Sequence, residues 1–266
     1  MYLIKNKKKL TLILIFLLLI FFYLFFKIFL FYIKENEIKN LSKLKLNLSF
    51  NNIDRVAHAG GGFNDMTYTN SIEALNANLE KFNFFEIDFY FSKDDKLICT
   101  HNEKHKNLNI KQYLKINLPH EVCTYDRLTS WLKNNPNKTI ITDVKDRNVD
   151  ALKFISQNFE NFNKNFIPQI YKINEYQKVK ELGFDRIIFT MYKIQPKILN
   201  DQFFQRINSL KLFAITMPQD LVLKGFANNV INKKTPIYTH TVNTNKKYFF
   251  YKYFLGIDEI YTDWLK

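Results

Sequence analysis

Six ionisable side chains stand in or beside short β-prone runs: His58, the pair Glu86 and Asp88, His101, and the pair Asp143 and Lys145. On an extended strand, residues two apart point to the same face. Each pair therefore acts from one side of a sheet. Three carboxylates on neighbouring strands repel one another unless a cation joins them. Hard oxygen ligands of this kind suit one divalent ion, Mg²⁺ or Ca²⁺, at Glu86, Asp88 and Asp143. Two histidines beside such an ion make a general acid and base, and Lys145 can hold an anion as a point charge. The combination suits phosphoryl transfer. Gly60 and Gly61, directly after His58-Ala59, and Gln169, at the end of another β-prone run, are candidates for substrate contact. Each fragment alone has an ordinary explanation: a surface Glu-x-Asp, a structural histidine, a surface Asp–Lys pair. They gain weight because all of them fall at strand ends.

The strand candidates are Ile53–His58, Phe84–Tyr90, Thr139–Val144, Phe166–Tyr171, Arg186–Met191, Lys211–Thr216, Pro236–Thr241 and Glu259–Thr262. Helical patterns lie between most of them: Asn70–Lys81, Tyr125–Lys133, Val149–Phe159, Glu175–Leu182, Pro196–Ile207, Gln219–Val230 and Asn245–Phe254. This alternation predicts an α/β fold, a parallel (β/α)8 barrel, whose active residues project from the C-terminal strand ends. An open doubly wound sheet is the alternative, and no Gly-rich phosphate fingerprint of the required form supports it. Lys96–His101 is a further β-like run. A tight turn near residues 94–95 would fold it back as a hairpin arm above the barrel mouth, with Asp88 opposite His101.

The chain has 266 residues and a formal charge of +14. Nine lysines and two glutamates give the first 45 residues half of that. The rest is only mildly basic, without a Lys/Arg stripe, so no nucleic-acid partner is expected. Residues 10–33 are apolar apart from Thr11 and Lys27. As a helix they would reach about 36 Å, enough for a bilayer core of about 30 Å. No small-residue cleavage pattern follows, so the sequence predicts an uncleaved single-pass anchor rather than a signal peptide. The expected organisation is a basic tail (1–9), a transmembrane anchor (10–33), a Lys/Asn-rich tether (34–50) and a barrel domain (51–266). The basic tail favours a cytoplasmic N-terminus and a domain on the outer face. Lysines after the helix weigh the other way. Cys99 and Cys123 are too few for a disulfide scaffold but sufficient for one bridge. Nothing in the sequence gives an oligomeric state.

Several segments resemble the glycerophosphodiester phosphodiesterases: His58-Ala59-Gly60-Gly61, Tyr68 to Ala74, Glu86-Ile87-Asp88, Ser92 to Asp95, His101 and Asp143-Val144-Lys145. Thr239 to Asn243 and Gly256 to Asp263 match as well, so the resemblance runs over about residues 53–263. It implies a barrel like that of phosphatidylinositol-specific phospholipase C. His58 and His101 become the acid–base pair, Glu86, Asp88 and Asp143 the metal ligands, and Lys145 a phosphate contact. It also implies attack of the substrate's own glycerol hydroxyl on phosphorus, loss of the head alcohol, and opening of a cyclic phosphate by water. The chain departs from the family pattern at Ala59, usually Arg, at Thr69, usually Glu, at Asn102, usually Asp, and at Asp143, usually Glu. An Asp-x-Lys here is also similar to sphingomyelinase-D-type phospholipases. The expected partner is thus a phosphodiester small molecule or a lipid headgroup. The alternatives are a phospholipase acting on lysophospholipids or sphingolipids, and a barrel that binds headgroups without turnover.

Overall fold

Eight parallel strands close on themselves in the computed structural model, which describes residues 16–24, 55–230 and 235–265. In chain order the ten strands are β1 (Val56–Ala57), β2 (Phe84–Phe91), β3 (Leu97–Cys99), β4 (Cys123–Thr124), β5 (Thr139–Val144), β6 (Phe166–Ile170), β7 (Ile188–Thr190), β8 (Ala214–Pro218), β9 (Ile237–His240) and β10 (Glu259–Thr262). The barrel runs β1-β2-β5-β6-β7-β8-β9-β10 and returns to β1, where Val56 pairs with both Phe84 and Tyr261. Closure leaves the ring without an edge strand. The predicted (β/α)8 architecture is the one observed.

Period-two alternation builds two apolar regions. Inward residues Val56, Ile141, Ile167, Ile188, Ala214, Tyr238 and Tyr261 fill the lower barrel. Outward residues such as Phe85, Ile87, Ile140, Phe166 and Phe189 join the larger layer between the strands and the helices. The helix Tyr125–Asn134 shows why these segments coil and dock. Thr124 caps it by accepting from the Arg127 N–H, and Leu128, Trp131 and Leu132 form its buried stripe. Two anticipated helices are interrupted. Pro196–Ile198 is a 3-10 turn before the helix Asp201–Asn208, which Asn200 caps. Gln219–Leu223 ends before Gly225, whose positive φ breaks the run. The segment expected from Asn70 is helical only over Ile72–Ala77, because Ser71 is its cap and Asn70 is left-handed.

The hairpin differs from the expectation in register and in place. Ser92 bonds across to Lys96, and Asp95 at φ 56° closes a three-residue loop. Phe89 therefore faces Cys99 and Phe91 faces Leu97. Asp88 lies opposite Thr100, whose N–H donates to the Asp88 carbonyl at 2.9 Å, and His101 falls one residue beyond the expected pairing. The hairpin does not stand clear as an arm over the mouth: Phe89, Phe91, Leu97 and Cys99 are buried in the layer outside the barrel. The unexpected β4 adds a third antiparallel strand, and a Cys99–Cys123 disulfide joins it to β3.

The chain divides into two units at Ser49 and Phe50. In the first, residues 16–24 are helical and their apolar side chains are exposed. Among the described residues no helix is long and apolar enough to cross a membrane. The rest of the predicted anchor, and the tether 34–50, lie outside the described residues.

The disulfide spans 24 residues. Closing a loop of that size removes unfolded-state entropy worth about 3 kcal/mol. Urea unfolding of the oxidised and reduced chain should show a stability difference of this order. Coincident transitions would mean that the bond constrains nothing.

Candidate active site

The polar site is the upper storey of the same alternation. On six of the eight barrel strands the residue two past an apolar inward position is ionisable or an amide. His58 follows Val56, Glu86 follows Phe84 and Asp143 follows Ile141. Gln169 follows Ile167, His240 follows Tyr238 and Asp263 follows Tyr261. Asp88 is one further step along β2.

Glu86, Asp88 and Asp143 are buried, and one oxygen from each lies within 4.8 Å of the others. The Lys145 ammonium bridges two of them, at 2.5 Å from Asp88 Oδ1 and 2.8 Å from Asp143 Oδ2. Burial would lower the Lys145 pKa, but Asp143 and Asp88 together hold it well above the usual lysine value. Burial would likewise raise Asp88, yet His101, Lys145 and Asn70 hold it below the carboxylate range. Glu86 has no ammonium partner of its own. Burial, then Asp88 and Asp143, push it well above its ordinary value. Its Oε2 accepts from the Ala59 N–H at 2.7 Å, while its buried Oε1 has no hydrogen-bond partner. Asp143 Oδ1 accepts from the hydroxyls of both Tyr171 and Tyr192.

Each predicted histidine is keyed to its own carboxylate. His58 Nδ1 is 2.8 Å from Asp263 Oδ1, and His101 Nδ1 is 3.3 Å from Asp88 Oδ2. Asn243 fixes Asp263 in turn: its amide donates to Oδ2 at 2.5 Å and its carbonyl accepts from the Asp263 N–H at 2.8 Å. Between the histidines stands the Tyr68 ring, edge-on at 4.5 Å from His58 and 4.9 Å from His101. Asn70, at φ 50°, donates to Asp88 Oδ2 at 2.9 Å and accepts from the Asp88 N–H at 2.8 Å.

His58, His101, Glu86, Asp88, Asp143 and Lys145 are thus brought together, and Gln169 is buried in the same inward layer. Gly60 and Gly61 lie apart in their contacts. Asn78 donates to the carbonyls of Gly60 and Gly62, and a Cβ on Gly61 would come within 2.5 Å of the Asn78 amide. Packing against the helix Ile72–Ala77 accounts for that glycine. Asp263, Tyr171 and Tyr192 had no role assigned from sequence, yet the two-residue step marks all three: Asp263 from Tyr261, Tyr171 from Gln169, Tyr192 from Thr190.

The donor set fits a divalent cation. It offers three hard oxygens, one of them a buried and unpartnered carboxylate oxygen, with an ammonium already drawn between the other two.

No protein-family model matches the chain, and no curated protein sequence matches it. Solved structures do. A glycerophosphodiester phosphodiesterase from Parabacteroides distasonis superposes with a TM-score of 0.64 at 15% identity, over 79% of this chain and 92% of that one. The fold is the glycerophosphodiester phosphodiesterase fold. The enzyme of that name from Thermotoga maritima shares it at a TM-score of 0.56 and 21% identity, over 80% and 96% of the two chains. An Oleispira antarctica phosphodiesterase, solved with its product sn-glycerol-3-phosphate, shares it at 0.60 and 11%, over 80% and 93%.

Burial, then the neighbouring His58, pushes the His240 imidazole down to about 4. An unfolded histidine titrates near 6.5 and so binds the proton first as pH falls. The domain should lose stability between pH about 6.5 and about 4. His240→Gln should flatten that part of a Tm-against-pH curve. An unchanged slope would place the acid sensitivity elsewhere.

Proposed function

We propose that the chain is a metal-dependent phosphodiesterase that hydrolyses glycerophosphodiesters or related headgroups. The observation that carries this reading is the pair His58 and His101, each tied to a separate carboxylate on either side of Tyr68 beside the Glu86–Asp88–Asp143 cluster. The names of the solved proteins that share the fold, and the product bound to one of them, support the same class of reaction.

Glu86, Asp88 and Asp143 would hold one Mg²⁺ or Ca²⁺, which supplies charge neutralisation and polarisation of a phosphoryl oxygen. His58, held in one orientation by Asp263, takes the proton from the substrate's glycerol hydroxyl as that oxygen attacks phosphorus. His101, exposed at the mouth, gives its proton to the departing head alcohol. Water then opens the cyclic phosphate with the two roles exchanged. Lys145 holds Asp88 and Asp143 in place and faces the phosphate as a positive charge.

The cleft beside His101 has a volume of about 490 Å³, and its lining includes Tyr68, Asn102, Glu103, His105 and His120. The polar side chains suit a hydrated head alcohol, while Tyr113 and Leu118 in the same lining give the cleft an apolar part, and a lysophospholipid or sphingolipid stands as the second reading. Residues 10–33 serve as a single-pass anchor in this reading, with the barrel on the outer face. The disulfide supports that side, since such bonds persist in oxidising compartments.

Hydrolysis of bis(p-nitrophenyl) phosphate should require a divalent ion and stop with chelator. His58→Ala and His101→Ala should each lower the rate by about 10²–10⁴, and His101→Ala, at an exposed side chain, should leave Tm nearly unchanged. Near-full activity in either variant would remove that histidine from the mechanism. Calorimetric titration with Mg²⁺ and Ca²⁺ should lose its signal in Asp88→Ala, and equal affinity would disprove the metal assignment. An alkaline phosphatase fusion after Lys45 should be active. A fluorescent green-protein fusion lit at the same point would put the domain inside.

A further inference from the structure

Resting on the proposed reaction, the charges around the cluster single out Lys193, whose ammonium sits on the two tyrosines that bond Asp143. Lys145 is committed to Asp88 and Asp143. Arg147 is paired with Asp95 and Asp150, and Lys106 with Glu103. Lys193, just past β7, has no carboxylate at ion-pair distance among the described residues. Its Nζ lies 3.9 Å from the centroid of the Tyr171 ring and 5.6 Å from that of Tyr192, and donates to the Lys145 carbonyl at 3.3 Å. Those two tyrosines are the ones whose hydroxyls bond Asp143. One aromatic wall thus fixes a carboxylate of the cluster with its hydroxyls and seats an ammonium on its ring faces.

We propose that Lys193 is a substrate-binding residue whose ammonium contacts a non-bridging oxygen of the phosphodiester. Glu86, Asp88, Asp143 and Asp263 bring four carboxylates to the site, and Lys145 is held between two of them. Lys193 adds a positive charge on the Asp143 side of the cluster, where it has no carboxylate of its own at ion-pair distance among the described residues. Partial desolvation also draws the Lys193 pKa down, against the pull of Asp143. An under-solvated ammonium gains more from an anion than a fully hydrated one. Because the contact is made to an oxygen charged before and after attack, it contributes to binding substrate and transition state alike, and should appear in KM.

The test is steady-state kinetics of the full chain on a glycerophosphodiester with saturating divalent ion, comparing wild type, Lys193→Met and Lys193→Arg. Lys193→Met should raise KM about tenfold with kcat within about threefold, and Lys193→Arg should recover most of the loss. An unchanged KM, or a fall confined to kcat, would overturn the assignment. Inorganic phosphate titrated calorimetrically into the metal-loaded chain separates this inference from the reaction itself. Weaker phosphate binding by Lys193→Met supports it even if no phosphodiester is turned over, and equal binding refutes it. Lys193 is exposed, so matching melting curves would show that the variants are folded.

Discussion

Three carboxylates buried together around a single ammonium form the constraint on which the rest of the site depends. Each isolated carboxylate in such a place would lose several kcal/mol of hydration. The surrounding structure answers that loss oxygen by oxygen. Asn70 and His101 serve one oxygen of Asp88 and Lys145 the other; the tyrosine hydroxyls serve Asp143, and the Ala59 N–H serves one oxygen of Glu86. The remaining Glu86 oxygen is unsatisfied. That leftover oxygen, beside two carboxylates already sharing an ammonium, is the feature that lets the cluster accommodate a divalent cation.

The compensation also explains the local backbone. Ala59 is left-handed at φ 49°, and this conformation accompanies the bond from its N–H to Glu86, at the point where an arginine would carry a guanidinium in the resembling family. Tyr68 and Asn70 are left-handed too, and they stand respectively between the histidines and against Asp88. Left-handed conformation in non-glycine residues costs roughly 1 kcal/mol or more each. Here it is found where a side chain or N–H reaches into the polar layer.

The barrel was legible in the sequence because its strands alternate regularly and its helices carry apolar stripes; Thr139–Val144 and Glu259–Thr262 coincide with the expected bounds. The pairs Glu86–Asp88 and Asp143–Lys145 were legible for the same reason, since a two-residue step fixes a common face. Register across the hairpin was not. It turned on whether Asp95 would take a positive φ, and that shifts every partner by one. β4, two residues long, shows no alternation to read. Asn70 reads in the sequence as the first residue of a helix. Its bonds to Asp88, 18 residues away, arise only from the closed barrel. Tyr171 closes an expected strand and Tyr192 lies one residue past another, but nothing in the sequence shows that both hydroxyls converge on Asp143.

His58 comes from the first strand of the barrel and Asp263 from just beyond the last, 205 residues later. The bond between them can form only once the ring is closed. During synthesis, the three clustered carboxylates, His101 and Lys145 all emerge from the ribosome long before the partner that orients His58. A growing chain would therefore carry a nearly complete set of reactive groups and remain idle until its final strand docks. Under the proposed reaction, competence would be a late event in the life of the polypeptide, coincident with completion of the barrel.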